Sequence, residues 1–350
     1  MLVEAVPNVS EGRRLDVVDR LAAAITSVPG VSLLDRTSDA SHNRSVFTLA
    51  GEHEAVIEAL DRLVAGAIHE IDMDVHEGEH PRIGAVDVIP FIPLADTTMD
   101  ACIDLARSFG ERLATRHALP VYLYARAALR SDREKLADVR RGQYEGLRTE
   151  IGQRGRNPDF GPARMHPSAG AVAVGARPFL IAYNINLDSD DVELARRIAR
   201  RVRESGGGLR RLQANGFEIR EPERGHPIRA QVSMNLLDFG VTPLWLVWGT
   251  VRDLAAEDGV ELVESELIGL APLASLLDVA DHAGASVDAG VDDRLRAAAA
   301  YIRLRDFSPL QALELRLAAA DGDPATRGSP SRGVGSPGAG GSLTGDRADT

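Results

Sequence analysis

His76 to Pro93, HEGEHPRIGAVDVIPFIP, carries two histidines, two glutamates and an arginine ahead of an apolar run, Ala85 to Pro93, that is broken only by Asp87. How this stretch is read decides the fold. As a helix it would set His76 and His80 on one face, the H-E-x-x-H arrangement in which both ligate zinc and the glutamate acts as base. Gly78 weakens a helix, Pro81 removes the hydrogen bond to the carbonyl of Glu77, and the residue before a proline is pushed out of the helical region. The stretch therefore reads as a polar loop feeding a buried strand, the zinc-hydrolase reading is disfavoured, and no metal is expected. Loops on a rigid scaffold are where reactive side chains usually sit. His80 is the candidate proton shuttle, because imidazole titrates near neutrality. Arg82 is suited to a bidentate hold on a carboxylate.

Upstream, Leu2 to Val6 is a strand candidate. Leu15, Val18, Leu21, Ala22 and Ile25 recur at helical spacing until Pro29-Gly30. Strand candidates follow at Val31 to Asp35 and Ser45 to Ala50, and an amphipathic helix at Val56 to Ile71. With the strand at Ala85 to Pro93 the order is βαββαβ, the ferredoxin-like arrangement of an antiparallel sheet with both helices on one face. Downstream, a helix (Met99 to Arg116) and a strand (Pro120 to Tyr124) extend it. Residues 131–159 are polar, helical in patches, and read as a crossing to the second half.

That half repeats the order: a strand at Phe179 to Leu187, a helix carrying Val192, Leu194, Ala195, Ile198 and Val202, strands around Arg211 to Ile219 and Ala230 to Leu237, a helix from Pro243 to Ala256 and a strand at Val260 to Val263. The expected fold class is α+β: two ferredoxin-like subdomains, 1–177 and 178–305, facing each other across a cleft that is the natural site. An extension covers 306–320. Residues 321–350, rich in Gly, Ser and Pro, bury too little to offset their ordering entropy and are expected to be a disordered tail.

Composition narrows the function. The 350 residues are 44% hydrophobic with a net charge of −12, enough for a large core and contrary to a nucleic-acid-coating or polybasic membrane role. The single cysteine, Cys102, excludes an internal disulfide framework and fits a reducing compartment. Its neighbours Met99, Ile103, Ala106 and Phe109 mark it as core. No signal-like amino terminus and no long apolar run is present, so the expected location is cytoplasmic.

Three further polar clusters accompany the His80 loop: Asn8-Val9-Ser10-Glu11-Gly12, the span from Asp35 through Asp39, His42 and Asn43 to Arg44, and Gly161-Pro162-Ala163-Arg164-Met165-His166-Pro167-Ser168-Ala169-Gly170. The last reads either as a hinge at the lobe junction or as a backbone cradle for a flat, hydrogen-bonding ligand. It lacks the lysine and spacing of a phosphate loop. Ser10 and Glu11 equally suit the cap and first turn of the following helix. The arginine-rich run Arg196 to Arg211 reads first as a solvated helix face, and Trp245 and Trp248 as core or interface.

VPNVSEGR (Val6 to Arg13), SHNRSVFT (Ser41 to Thr48), GEHPRIGAVDVIPFIPL (Gly78 to Leu94), RRGQYEGL (Arg140 to Leu147), GARPFLIAYNINL (Gly175 to Leu187) and VSMNLLDF (Val232 to Phe239) together resemble the glutamate formiminotransferase family, over about residues 2 to 305. The resemblance implies two ferredoxin-like subdomains, usually dimeric. It implies transfer of the formimino group of N-formimino-L-glutamate to tetrahydrofolate as co-substrate, here as a stand-alone transferase without the cyclodeaminase of animal enzymes. The family's catalytic histidine in G-E-H-P-R falls on His80 and its folate segment on Gly161 to Gly170. For that chemistry Asp35 and Asp39 are candidates to stabilise the cationic amidine, and Arg82 and Arg44 to hold the carboxylates. Asn8, Ser10 and Glu11 would complete the polar wall. Family members often have a second aspartate two positions after Asp35, where this chain has Thr37. Either Asp39 supplies that charge, or it is dispensable, or the substrate differs. Formyl transfer between 5-formyltetrahydrofolate and glutamate, and folate binding without catalysis, are the alternatives. The expected partners are small molecules and a second copy of the chain, with no nucleic acid and no membrane.

Overall fold

A computed structural model describes residues 1–322 except 41, 79 and 222–225, together with 332–333. In the first lobe the chain runs β1 (Leu2–Ala5), β2 (Asn8–Val9), α1 (Leu15–Thr26), β3 (Val31–Asp39), β4 (Arg44–Glu52), α2 (His53–Glu70) and β5 (Val86–Pro93). The strands lie side by side as β3-β4-β1-β5, each antiparallel to its neighbour, with β2 bridging β4 and β5. This is the ferredoxin-like order that the sequence pattern predicts. Alternation along the strands sends Phe47, Leu49, Ile89 and Phe91 to one face, where they meet Leu21 and Ile25 of α1 and Leu60 and Leu63 of α2.

The continuation differs from expectation. After α3 (Met99–His117) and β6 (Val121–Ala125), the chain forms α4 (Leu136–Val139) and α5 (Gln143–Glu150), then returns as β7 (Val172–Ala176). β7 inserts between β5 and β6, parallel to both. Residues 131–159 therefore do not cross to the second half. Val139, Leu147 and Ile151 cover the opposite face of the first sheet, over Ile83, Val88 and Tyr122. Gly161 to Gly170, expected at the lobe junction, instead lies within the first lobe between α5 and β7. Cys102 is core as expected, and burial pushes its thiol up to about 11.

The second lobe runs β8 (Ile181–Leu187), α6 (Val192–Val202), β9 (Leu212–Glu221), β10 (His226–Leu236), α7 (Leu244–Glu257) and β11 (Leu262–Ile268), ordered β11-β8-β10-β9 and antiparallel throughout. It is the same topology again. α8 (Leu273–His282) and α9 (Val291–Tyr301) add Leu276, Val279, Leu295 and Ala298 to its core. On α6, Arg196, Arg197 and Arg201 pair with Glu193, Asp258 and Glu257, as a solvated face would. Trp248 is buried, while Trp245 stacks on His282.

The last helix, α10 (Leu313–Gly322), turns back to the first lobe. Leu313 is buried against Leu34 and Ala50, and the Arg316 Nε donates to the Leu34 carbonyl at 3.0 Å. Apart from 321–322 and 332–333, the tail lies outside the described residues. Among the described residues no helix is long and apolar enough to cross a membrane.

Candidate functional site

Three segments of the first lobe converge at one end of β4 and β5. Ser10 follows β2, Arg44 opens β4, and the loop 76–82 leads toward β5. Their approach is a matter of backbone on backbone. A Cβ at Gly12 would lie 2.3 Å from the Asp39 carbonyl, and one at Gly78 would lie 2.4 Å from the His42 carbonyl, so only glycine fits at either point. Asn43, at φ 47, accepts from the Gly12 N–H at 3.0 Å and donates to the Glu77 carbonyl at 2.9 Å, tying all three segments together. None of the described loop residues is helical, and the two histidines diverge in partnership. His76 Nε2 meets the Asn43 carbonyl, whereas His80 Nε2 meets Arg44.

The result is a small cavity lined by Val9, Ser10, His42, Asn43, Arg44, His76, His80, Arg82 and Asp87. All of these residues belong to the first lobe, so the cavity lies within one subdomain and not in the cleft between two. The guanidinium of Arg44 donates through Nη1 to His80 Nε2. With a donor on Nε2 the neutral ring carries its proton on Nδ1, which has no side-chain hydrogen-bond partner among the described residues. Burial, then the Arg44 and Arg140 guanidiniums, push the imidazole down to about 3. Burial and Arg140 likewise bring Arg44 down to about 10.

Three arginines surround this ring, and they are not equivalent. Arg82, 7% exposed, grips Glu145 of α5 with two N–H donors at 2.7 and 2.9 Å, which holds the Glu145 carboxyl below its usual range. Arg140 pairs with buried Asp87, whose other oxygen accepts from the Ile83 N–H at 2.8 Å. Arg44 makes no ion pair among the described residues, and its enclosed Nε has no partner.

Of the residues predicted from sequence, Ser10, Arg44, His80 and Arg82 meet in this cavity. Asp39 stands at its rim, paired with His42 Nδ1 at 2.9 Å. Others lie elsewhere. Glu11 accepts from the Arg13 and Arg14 N–H groups at 2.9 and 2.8 Å and so organises the entry to α1. Asn8 donates to the Val6 carbonyl at 2.9 Å and does not line the cavity. Asp35 pairs across the sheet with Thr48 and lies beside Gly269, at the contact between lobes. None of Gly161 to Gly170 lines the cavity, although Ala169 and Ala171 bond to Ala85 and Ile83 beside it. Within that segment His166 Nδ1 accepts from the Ser168 and Ala169 N–H groups. Sequence reasoning missed Arg140, Asp87, Gln143 and Glu145. The lone acid in an apolar strand was the available signal for Asp87, and the polar motif RRGQYEGL for the other three.

Two ferredoxin-like lobes, the first holding an enclosed imidazole against a guanidinium, define a two-lobed α+β protein. The sequence comparisons then specify the family. The formiminotransferase domain, N-terminal subdomain, matches residues 2–177, and the formiminotransferase domain matches residues 182–311. The glutamate formimidoyltransferase of Streptococcus pyogenes serotype M1 is 44% identical over 281 residues, 80% of this chain and 92% of that protein. That of Thermoplasma acidophilum is 45% identical over 283 residues, 80% of this chain and 91% of that protein. The formimidoyltransferase-cyclodeaminase of Rattus norvegicus is 46% identical over 285 residues, 52% of its length. This chain belongs to the formiminotransferase family.

Proposed function

We propose that the protein transfers the formimino group from N-formimino-L-glutamate to N5 of tetrahydrofolate, releasing L-glutamate, with His80 as the proton carrier. The observation that carries this reading is the His80–Arg44 pair inside a family whose relatives are named for that transfer. The transfer needs one proton removed from the attacking nitrogen and one delivered to the departing nitrogen, and a single imidazole does both in turn. His80, neutral in the free protein, is in the state that accepts first. Arg44 offers the amino-acid carboxylate an unpaired guanidinium, and Asp39 lies across the rim for the cationic amidine. Arg82 acts through Glu145, holding α5 against the loop. For the folate we retain Gly161 to Gly170, supported by the hydrogen bonds that lay its end along Ile83 and Ala85, just beyond Arg82.

A single-turnover assay with formiminoglutamate and tetrahydrofolate, in buffer containing a chelator, tests the reading. The wild-type rate should survive the chelator, and His80→Ala should lower it roughly 100-fold or more. No transfer by the wild type, or a variant as fast as the wild type, overturns it.

A further inference from the structure

The three arginines around His80 differ in one respect that the transfer reaction alone does not explain. Arg82 and Arg140 each hold a carboxylate, whereas Arg44 is spent on a neutral imidazole; among the described residues its enclosed Nε, like that of Arg140, has no hydrogen-bond partner. An enclosed guanidinium with an unfilled donor is a site for an anion, and the fork geometry suits a carboxylate. At the same time Arg44 occupies the one ring nitrogen whose lone pair could take a proton. We propose that Arg44 is a substrate-operated latch on His80: the carboxylate of the incoming amino-acid substrate draws Arg44 off Nε2, and only then is the imidazole free to carry a proton. This rests on the reading of His80 as proton carrier.

The groups facing the ring make the latch specific to Arg44. They are Arg44 and His42 of the β3–β4 hairpin, Asp39 of β3, Asp87 of β5, Arg140 ahead of α5, and His76 and Arg82 of the loop itself, with Glu11 behind them at the entry to α1. Asp87 is paired with Arg140, Arg82 with Glu145, and Glu11 with Arg14, while Asp39 contacts His42 and faces Arg44 across the hairpin. Among the described residues Arg44 is the guanidinium beside His80 that makes no ion pair, though Asp87 and Asp39 offset part of its charge. A bound carboxylate cancels that charge and removes the donor, and both changes favour the protonated ring. Proton affinity at His80 therefore rises when substrate binds.

The test compares two pH profiles of the wild-type enzyme at saturating tetrahydrofolate. The profile of kcat/KM for formiminoglutamate reports the free enzyme, and that of kcat reports the complex. The acid limb of kcat should lie at least about one pH unit above that of kcat/KM, a tenfold difference in proton affinity. In Arg44→Gln the two limbs should converge while KM for formiminoglutamate rises, a pattern that simple loss of folded protein does not give. Coincident limbs in the wild type, or an unchanged separation in Arg44→Gln, overturn the latch while leaving the transferase reading intact. Imidazole nitrogen NMR of His80 with and without N-formyl-L-glutamate reads the same change without turnover. A titration midpoint that rises on binding supports the latch, and one that does not move overturns it.

Discussion

At the scale of single residues, the site depends on which charges are matched. Asp87 is 2% exposed and neutralises Arg140 while fixing the Ile83 N–H just after the loop 76–82. Asp87→Asn leaves a half-buried guanidinium without its carboxylate. It should destabilise the protein by about 3–5 kcal/mol, read from urea unfolding, and the double variant with Arg140→Gln should recover part of that loss. Substitution of His80 by Gln should leave the urea midpoint nearly unchanged while the rate falls, because the ring makes its one side-chain hydrogen bond to Arg44. This scale was also the least legible in the sequence. His80 and Arg82 stand out because a proline and a glycine force their loop open. Arg140 lies more than fifty residues from Asp87, at a separation of 53 in the chain, and nothing local announces that the two meet.

At the scale of elements, the loop is seated by close backbone contact with the segment that precedes β7. A Cβ at Gly84 would lie 1.9 Å from the Ala171 carbonyl and 2.6 Å from that of Ala169, atoms that cannot swing away. Gly84→Ala should therefore cost about 1–3 kcal/mol or more and lower activity with it. The matched control is Gly146→Ala on α5, where a Cβ meets nothing within 4 Å. It should be neutral or stabilise by about 0.5–1 kcal/mol, since alanine outranks glycine in a helix. Both values are accessible by chemical denaturation. The two βαββαβ repeats were readable because strand alternation and helical spacing are strong over Val56 to Ile71 and Val192 to Val202. β7 was not. Val172 to Ala176 is a short run of small residues that itself contains Gly175, and its place between β5 and β6 depends on partners far away in sequence. The same holds for β2, whose two residues pair with both β4 and β5.

At the scale of the whole molecule, the lobes are joined over the face of the first sheet opposite α1 and α2, beside the part that α4 and α5 cover. Glu4 of β1 sits beside Ala50 on that face, 1% exposed, with Oε2 lacking a hydrogen bond. Burial pushes its carboxyl up to about 8, against the opposing pull of Arg177. The folded state therefore holds a proton that the unfolded chain has released once pH exceeds the ordinary carboxylate value. This contribution to stability is full below that value and is lost as pH rises through about 8. The thermal midpoint of the wild type should fall over that window, and Glu4→Gln should flatten the fall. Leu313→Ala, which empties the contact of α10 with Leu34 and Ala50, should cost about 2–5 kcal/mol in the same measurements.

The return of α10 to the first sheet also sets an order of events on the ribosome. The strands up to β7 have all emerged before Leu313, which is buried with Leu34 and Ala50, is made after the entire second lobe. A nascent first lobe thus has this apolar patch only partly covered, the circumstance in which transient sticking and chaperone capture occur during synthesis. The docking of α10 completes the cover and ties the last helix of the chain back to its first sheet.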